Sequence, residues 1–168
     1  EGIPEAFVIR RFDRTDDGGR VHMEEMCSVL GFHPSAKFGR GDTTPTLTEV
    51  ARIIRRFAPQ DLETFIRRLV FDALVGNGDA HLKNWSLWYP DGVNARLAPA
   101  YDLVSTIQHL DDPELALNLS GEKRYTALGV HSFRTLARQL KRVPGVAELN
   151  IEESAVEEWV VSTVDKVK

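Results

Sequence analysis

The stretch Gly76-Asn77-Gly78-Asp79-Ala80-His81-Leu82-Lys83-Asn84-Trp85-Ser86 decides how this chain is read. It follows the most regular apolar pattern in the sequence: Leu62, Phe65, Ile66, Leu69, Val70, Ala73 and Leu74. These residues step by three and four, as a central helix does. Glycines on both sides of Asn77 call for a sharp turn of the backbone. Asp, His, Lys and Asn then fall within six residues, ahead of an apolar strand. Burying such a set beside a core without a ligand is costly, because each unpaired polar group loses its solvation. Taken alone, the segment reads equally as a solvated loop whose Asn and Asp cap turns.

The next residues favour chemistry. Trp85 to Tyr89 reads as a strand, Pro90-Asp91-Gly92 as a hairpin turn and residues 95–98 as the returning strand, which leads to Pro99-Ala100-Tyr101-Asp102-Leu103. Such a hairpin brings Asp102 back beside Asn84, so that Asp79, Asn84 and Asp102 can converge. Two carboxylates and an amide oxygen suit Mg²⁺, which takes carboxylates together with substrate phosphates and water. The spacing Asp79-x-x-x-x-Asn84 equals that of the protein-kinase catalytic loop. There the Asp accepts the proton of the substrate hydroxyl, while the Asn and a later Asp hold the metal ions. An Asp and an Asn at that spacing are weak by themselves; the hairpin and second Asp strengthen them.

Elsewhere, residues 3–12 look extended, and Thr15-Asp16-Asp17-Gly18-Gly19 is a turn between two antiparallel strands. From His22 the spacing of Met23, Met26, Cys27 and Leu30 predicts a helix ended by Gly31, its sulfur-bearing stripe being simple core packing. Residues 32–45 read as a loop. Thr46 caps a helix with Glu49 in the capping-box position, and Leu47, Val50, Ala51, Ile54 and Phe57 form its apolar face. Residues 103–128 read as loop-rich, followed by helices near 131–141 and from about 152 to the end. The fold class is α+β, predominantly helical.

The chain has 168 residues and a formal net charge of −4, with 42% hydrophobic and 27% charged residues, an ordinary globular composition. No apolar run approaches the ~20 residues of a membrane span. One cysteine, Cys27, excludes an intrachain disulfide and suits a reducing cytoplasm. The basic residues are scattered, without a stripe of interleaved aromatics, which argues against direct nucleic-acid binding. The first residue is Glu1, not Met, and the strand-like run Phe7-Val8-Ile9 follows at once; the expectation is a piece of a longer chain.

With these motifs in place, the chain resembles the HipA-type toxin kinases, bacterial serine/threonine kinases of toxin–antitoxin systems. The resemblance is carried by residues 76–86 and by Leu97-Ala98-Pro99-Ala100-Tyr101-Asp102-Leu103-Val104-Ser105-Thr106. Phe7 to Arg14 adds to it as a hinge strand and His22 to Gly31 as the helix that follows. It covers residues 5–110 and weakens beyond. It implies the C-terminal lobe of a kinase-like fold, with a hinge strand at about 5–14, a catalytic loop at 76–84 and a metal-Asp loop at 98–106. The amino-terminal lobe, with its phosphate-covering loop and lysine, is expected to be absent, since Gly39-Arg40-Gly41 lies after the hinge and lacks the following strand and lysine.

Asp79 is then the catalytic base, Asn84 and Asp102 hold Mg²⁺, and His81 and Lys83 lie near the ATP phosphates. The Arg10 and Phe12 backbone meets the adenine, and Tyr101 joins the nucleotide side of the site, although packing is its simplest role. The resemblance also implies a protein substrate such as an aminoacyl-tRNA synthetase, and a helix-turn-helix antitoxin through which any DNA contact is indirect. Cytoplasmic location, no membrane partner and a role in bacterial persistence belong to the same expectation. Two other readings stay open, a small-molecule phosphotransferase dependent on Mg²⁺ and a non-catalytic interaction module. A metal hydrolase is more distant, because no second His or Cys pair stands at ligand spacing.

Overall fold

The structure is a computed structural model that describes residues 8–39, 45–109, 113–141 and 151–167. In chain order it contains β1 (His22–Glu25), a single helical turn α1 (Met26–Val29), α2 (Leu47–Phe57), α3 (Leu62–Val75), β2 (Ser86–Tyr89) and β3 (Arg96–Leu97). A second hairpin, β4 (Glu114–Leu119) and β5 (Glu122–Arg124), precedes α4 (Val130–Leu140) and α5 (Glu153–Val167). Helices thus predominate over two small antiparallel sheets, in keeping with α+β.

Helix α2 begins as its sequence predicts. Thr46 Oγ1 accepts the Glu49 N–H at 3.2 Å, and Glu49 Oε2 accepts the Thr46 N–H at 2.7 Å, so each side chain satisfies an amide that the helix leaves open. Leu47, Val50, Ala51 and Ile54 are buried, whereas Phe57, expected on the same face, stands exposed at the last residue. In α3, Leu62, Phe65, Ile66, Leu69 and Val70 are buried, with Phe65 edge-on to Trp85 at 4.9 Å between ring centroids. Helix α5 packs across α3 and α4. One Arg67 nitrogen donates to the Trp159 carbonyl, Ser162 Oγ and Thr163 Oγ1 at 3.1, 2.7 and 3.0 Å, pinning α5 to α3.

The three-stranded sheet runs β1-β2-β3, with His22 opposite Tyr89, Glu25 opposite Ser86 and Leu87 opposite Leu97. Its far strand is anchored to the turn before α3. Asp61 accepts from Nε and Nη2 of Arg96, each at 2.7 Å, and its carboxylate accepts the Leu97 N–H at 2.9 Å. The β2–β3 hairpin is therefore fixed against the helix that delivers the polar loop.

Three expectations are corrected. His22 to Glu25 is a strand, and the helix shrinks to the turn Met26–Val29 before Gly31, which does end it at φ +75°. The spacing of Met23, Met26 and Cys27 looks helical locally, but pairing with β2, distant in sequence, overrides it. Residues 113–124 form a hairpin instead of a loop. Leu115, Leu117 and Leu119 are buried, and Ser120 and Gly121 both sit at positive φ, as a tight hairpin turn of primed type requires. Of the expected extended segment, residues 3–7 lie outside the described residues, and residues 8–12 form no strand. Around the Thr15–Gly19 turn the pairing is a single bridge between Arg14 and Arg20.

Thr46→Ala is expected to lower the unfolding free energy by ~1 kcal/mol, with Thr46→Ser losing less, as read from urea denaturation midpoints.

Candidate active site

The site is assembled where α3 stops. Gly76 closes the helix at φ +69° and ψ +46°, and its carbonyl receives both the Thr106 N–H at 2.9 Å and Thr106 Oγ1–H at 3.1 Å. Thr106 Oγ1 in turn accepts the Gly78 N–H at 2.8 Å. A Cβ placed on Gly76 would come within 2.6 Å of the Ile107 side chain. Glycine is thus required twice over, by the left-handed backbone and by the close approach of Ile107, just beyond the 98–106 loop. One threonine side chain stitches that loop to the 76–84 loop.

Asn84 and Asp102 meet as their spacing across the hairpin predicts. Asn84 Nδ2 donates to Asp102 Oδ2 at 2.6 Å. Asn84 is buried, and its Oδ1 has no hydrogen-bond partner among the described residues. Asp102 is exposed and holds φ +56°, a left-handed conformation that a non-glycine residue rarely adopts. An orphaned amide oxygen next to an exposed carboxylate is a donor set that fits a hard cation completing its shell with phosphate and water. Among the described residues no group of three or more His, Cys, Asp or Glu stands where it could hold a metal.

Asp79 lies at the mouth of the loop, its carboxylate partly exposed and its backbone N–H given to Asn77 Oδ1 at 3.2 Å. His81 is buried. Its Nδ1 accepts the Lys83 N–H at 3.3 Å and so caps the short turn Leu82–Asn84, while its ring stands edge-on to Phe38 at 5.0 Å. Burial, aided by Lys37, pushes its pKa down, which keeps the imidazole neutral with its proton on Nε2, 3.9 Å from Asp79 Oδ1. Lys83 is half-buried and faces Glu25 of β1 at 3.9 Å.

Tyr101 is held by its hydroxyl, which donates to the Lys83 carbonyl at 2.7 Å and lies 2.6 Å from Ser86 Oγ. Burial raises its pKa, so it stays a neutral phenol bracing the 76–84 loop from the far side of the hairpin. Phe12 rests on its ring at 5.8 Å and edge-on to Trp88 at 6.1 Å. Arg10 is exposed and paired with Asp16. Arg10, Phe12, Met23, Ala100, Tyr101 and Asp102 line a cleft of about 390 Å³. Of the residues singled out in the sequence, Arg10, Phe12, Tyr101 and Asp102 therefore share that cleft. Asn84 is tied to its Asp102 edge, and Asp79, His81 and Lys83 do not line it.

Other participants went unnoticed in the sequence. Asp72, buried in the last turn of α3, accepts Asn77 Nδ2–H at 2.9 Å. Arg68 donates to the Ala98 carbonyl at 2.7 Å and lies over the Trp85 ring at 5.3 Å. Thr106 is the stitch described above. The signal for Asp72 was legible: it is a charge set within the otherwise apolar run Leu69-Val70-Phe71-Asp72-Ala73-Leu74.

Comparison with known proteins places the chain in a family. The profile of the HipA-like C-terminal domain matches residues 1–168. Y4dM of Sinorhizobium fredii, named as a candidate kinase, is 38% identical over 166 residues, covering 98% of this chain and 37% of that protein. The serine/threonine-protein kinase toxin HipA of Shewanella oneidensis is 32% identical over 143 residues, covering 72% of this chain and 32% of that protein. The chain thus spans about a third of the length of these relatives. A chain in the Shewanella oneidensis complex of HipA, HipB and operator DNA superposes with a TM-score of 0.62 over 93% of this chain and 47% of that one. At 21% identity that likeness shows the fold.

Burial raises the Asp72 carboxyl to about 6, against 3.8 for the free group; Asn77 and Arg68 offset part of that rise. Between those values the folded chain binds the proton and the unfolded chain does not. The contribution of a protonated Asp72 to stability is therefore complete below about pH 4 and is lost as pH rises through 6. Unfolding free energies measured from pH 4 to 7 should show wild type losing up to ~3 kcal/mol relative to Asp72→Asn across that interval.

Proposed function

Because the chain belongs to the HipA-like C-terminal domain family, we propose that it is the catalytic lobe of a serine/threonine protein kinase that moves the γ-phosphate of ATP to a protein hydroxyl. The observation that carries this reading is the Asn84–Asp102 pair, with one amide oxygen left open, at the edge of the cleft lined by Phe12 and Tyr101. The cleft takes the adenine between the Arg10–Phe12 backbone and Tyr101. Asn84 and Asp102 are the residues that would hold Mg²⁺, which when bound neutralises charge on the phosphate oxygens.

Asp79 accepts the proton of the attacking Ser or Thr hydroxyl as the new O–P bond forms and the bond to the leaving ADP oxygen breaks. The neutral His81 anchors the turn that spaces Asp79 from Asn84, and its Nε2–H faces the Asp79 carboxylate. Lys83, directed to Glu25, serves the fold of the loop more than the phosphates. Among the described residues no lysine lines the cleft, so the proposed transfer needs a phosphate-binding lysine that this cleft does not itself supply. The 168 residues alone are then silent and bind ATP weakly.

The relatives extend the proposal. The Shewanella oneidensis structure holds HipA with HipB and operator DNA, and a HipB-like helix-turn-helix antitoxin is the corresponding partner here, with DNA reached only through it. An aminoacyl-tRNA synthetase is the class of protein substrate that the resemblance suggests, in the cytoplasm. Among the described residues no helix is long and apolar enough to cross a membrane.

In a polypeptide of the relatives' full length, transfer from Mg·ATP to a degenerate serine/threonine peptide library should fall at least ~100-fold in Asp79→Asn while Mg·ATP binding survives. Asp102→Asn should weaken Mg-dependent ATP binding as well, read by calorimetry. Full activity in both variants would overturn the assignment of these carboxylates. The isolated 168 residues should transfer no phosphate, and transfer at an ordinary kinase rate would refute their dependence on a second lobe.

A further inference from the structure

The reaction described above uses Asp79, Asn84 and Asp102 and leaves a buried carboxylate behind them without a task. Asp72 is 2% exposed and Asn77 1% exposed, in the last turn of α3 and just beyond its end. Asn77 Nδ2 donates to Asp72 Oδ1 at 2.9 Å, and Asn77 Oδ1 accepts the Asp79 N–H at 3.2 Å. The Asp72 carbonyl also receives the N–H groups of Gly76 and Asn77, the latter at 2.8 Å.

The direction of the Asn77 amide is chemically forced. Above about pH 6 Asp72 is a carboxylate, which accepts and does not donate, so only the NH₂ side of Asn77 can face it. Flipping the amide would set two oxygens against each other and turn an NH₂ toward the Asp79 N–H, losing both bonds. Nothing in helix stability accounts for an acid here, because a negative charge near the C-terminal end of α3 opposes the helix dipole. Burial adds to the cost, as the elevated pKa of Asp72 records. The charged or titratable groups facing it are Arg68 on its own helix and Tyr125 in the turn Tyr125–Ala127. Arg68 is itself committed to the Ala98 carbonyl and the Trp85 ring.

We propose that Asp72 is a positioning residue for Asp79, acting through the side-chain amide of Asn77, which it orients so that the Asn77 oxygen holds the Asp79 backbone. This inference rests on the kinase reading of Asp79. In its terms, two hydrogen bonds in series connect the buried end of α3 to the base, and they set where the Asp79 carboxylate lies relative to an incoming hydroxyl. A displacement of ~1 Å at a reacting group costs up to ~100-fold in rate, so the loss belongs in kcat and not in nucleotide affinity.

The test uses the polypeptide of full relative length, Mg·ATP and a degenerate serine/threonine peptide library, with Asp79→Asn as the reference. Asp72→Ala and Asn77→Ala should lower kcat at least ~10-fold with KM for ATP held within about twofold. Asp72→Asn, whose amide oxygen still accepts from Asn77, should keep a third or more of kcat. If Asp72→Ala does not fold, the contrast between Asn77→Ala and Asp72→Asn decides the matter alone. Equal loss of kcat and ATP affinity in all folded variants overturns the proposal in favour of a plain structural role. A folded Asn77→Ala at wild-type kcat beside an inactive Asp79→Asn removes the relay and leaves the kinase reading standing. Full activity in Asp79→Asn, or no transfer by wild type, removes both.

Discussion

The left-handed turn at Gly76, pressed against Ile107, is the constraint on which the site depends. A helix carbonyl freed at that turn is taken by Thr106 from another loop, and the same hydroxyl returns to the Gly78 N–H. The end of α3, the loop that carries Asp79 and the loop that carries Asp102 are therefore set by one short bonding circuit. Any larger residue at position 76 would meet the Ile107 side chain and strain the left-handed turn.

What surrounds that circuit is a division of labour between apolar and polar packing. Phe65, Ile66 and Trp85 give α3 and the first hairpin a common core, while Asp61 with Arg96 just before the helix and Arg67 with Ser162 and Thr163 midway along it fix direction. Apolar contact alone would let the hairpin slide, since it is non-directional. The bidentate Asp61–Arg96 pair, joined by the Leu97 N–H, holds one register of β3 and therefore one approach of Asp102 toward Asn84.

Much of this is legible in the sequence itself, and what is not legible has physical causes. The Thr46–Glu49 capping box, the helix through Leu62 to Val70 and the Asn84–Asp102 encounter all rest on local spacing or on a tight hairpin, which a sequence displays directly. His22–Glu25 was misread because its partner strand, Ser86–Tyr89, lies far along the chain and pairing energy does not appear in a local period. The β4–β5 hairpin did carry a signal, the alternation of Leu115, Leu117 and Leu119 before Ser120-Gly121, which buried Ala116 blurs. Tyr101 lines the cleft and His81 does not. Only the geometry distinguishes the work they do in bracing the loop, with Nδ1 accepting an amide and the phenol spanning Lys83 and Ser86.

The pairing of β1 with β2 has a further consequence, for the order in which the chain folds. Glu25 lies opposite Ser86, with α2 and α3 threaded between them, so the strand forms only after a long loop has closed. During synthesis β1 leaves the ribosome well before its partner and waits with its edge unpaired, while α2 and α3 gain structure from local contacts. The polar loop at 76–84 emerges just ahead of β2, and its last residues are ordered by the strand that follows. Assembly of the site is thus a late event that reports completion of the whole sheet, and proteolysis or aggregation of an unfinished chain would begin at the same early strand.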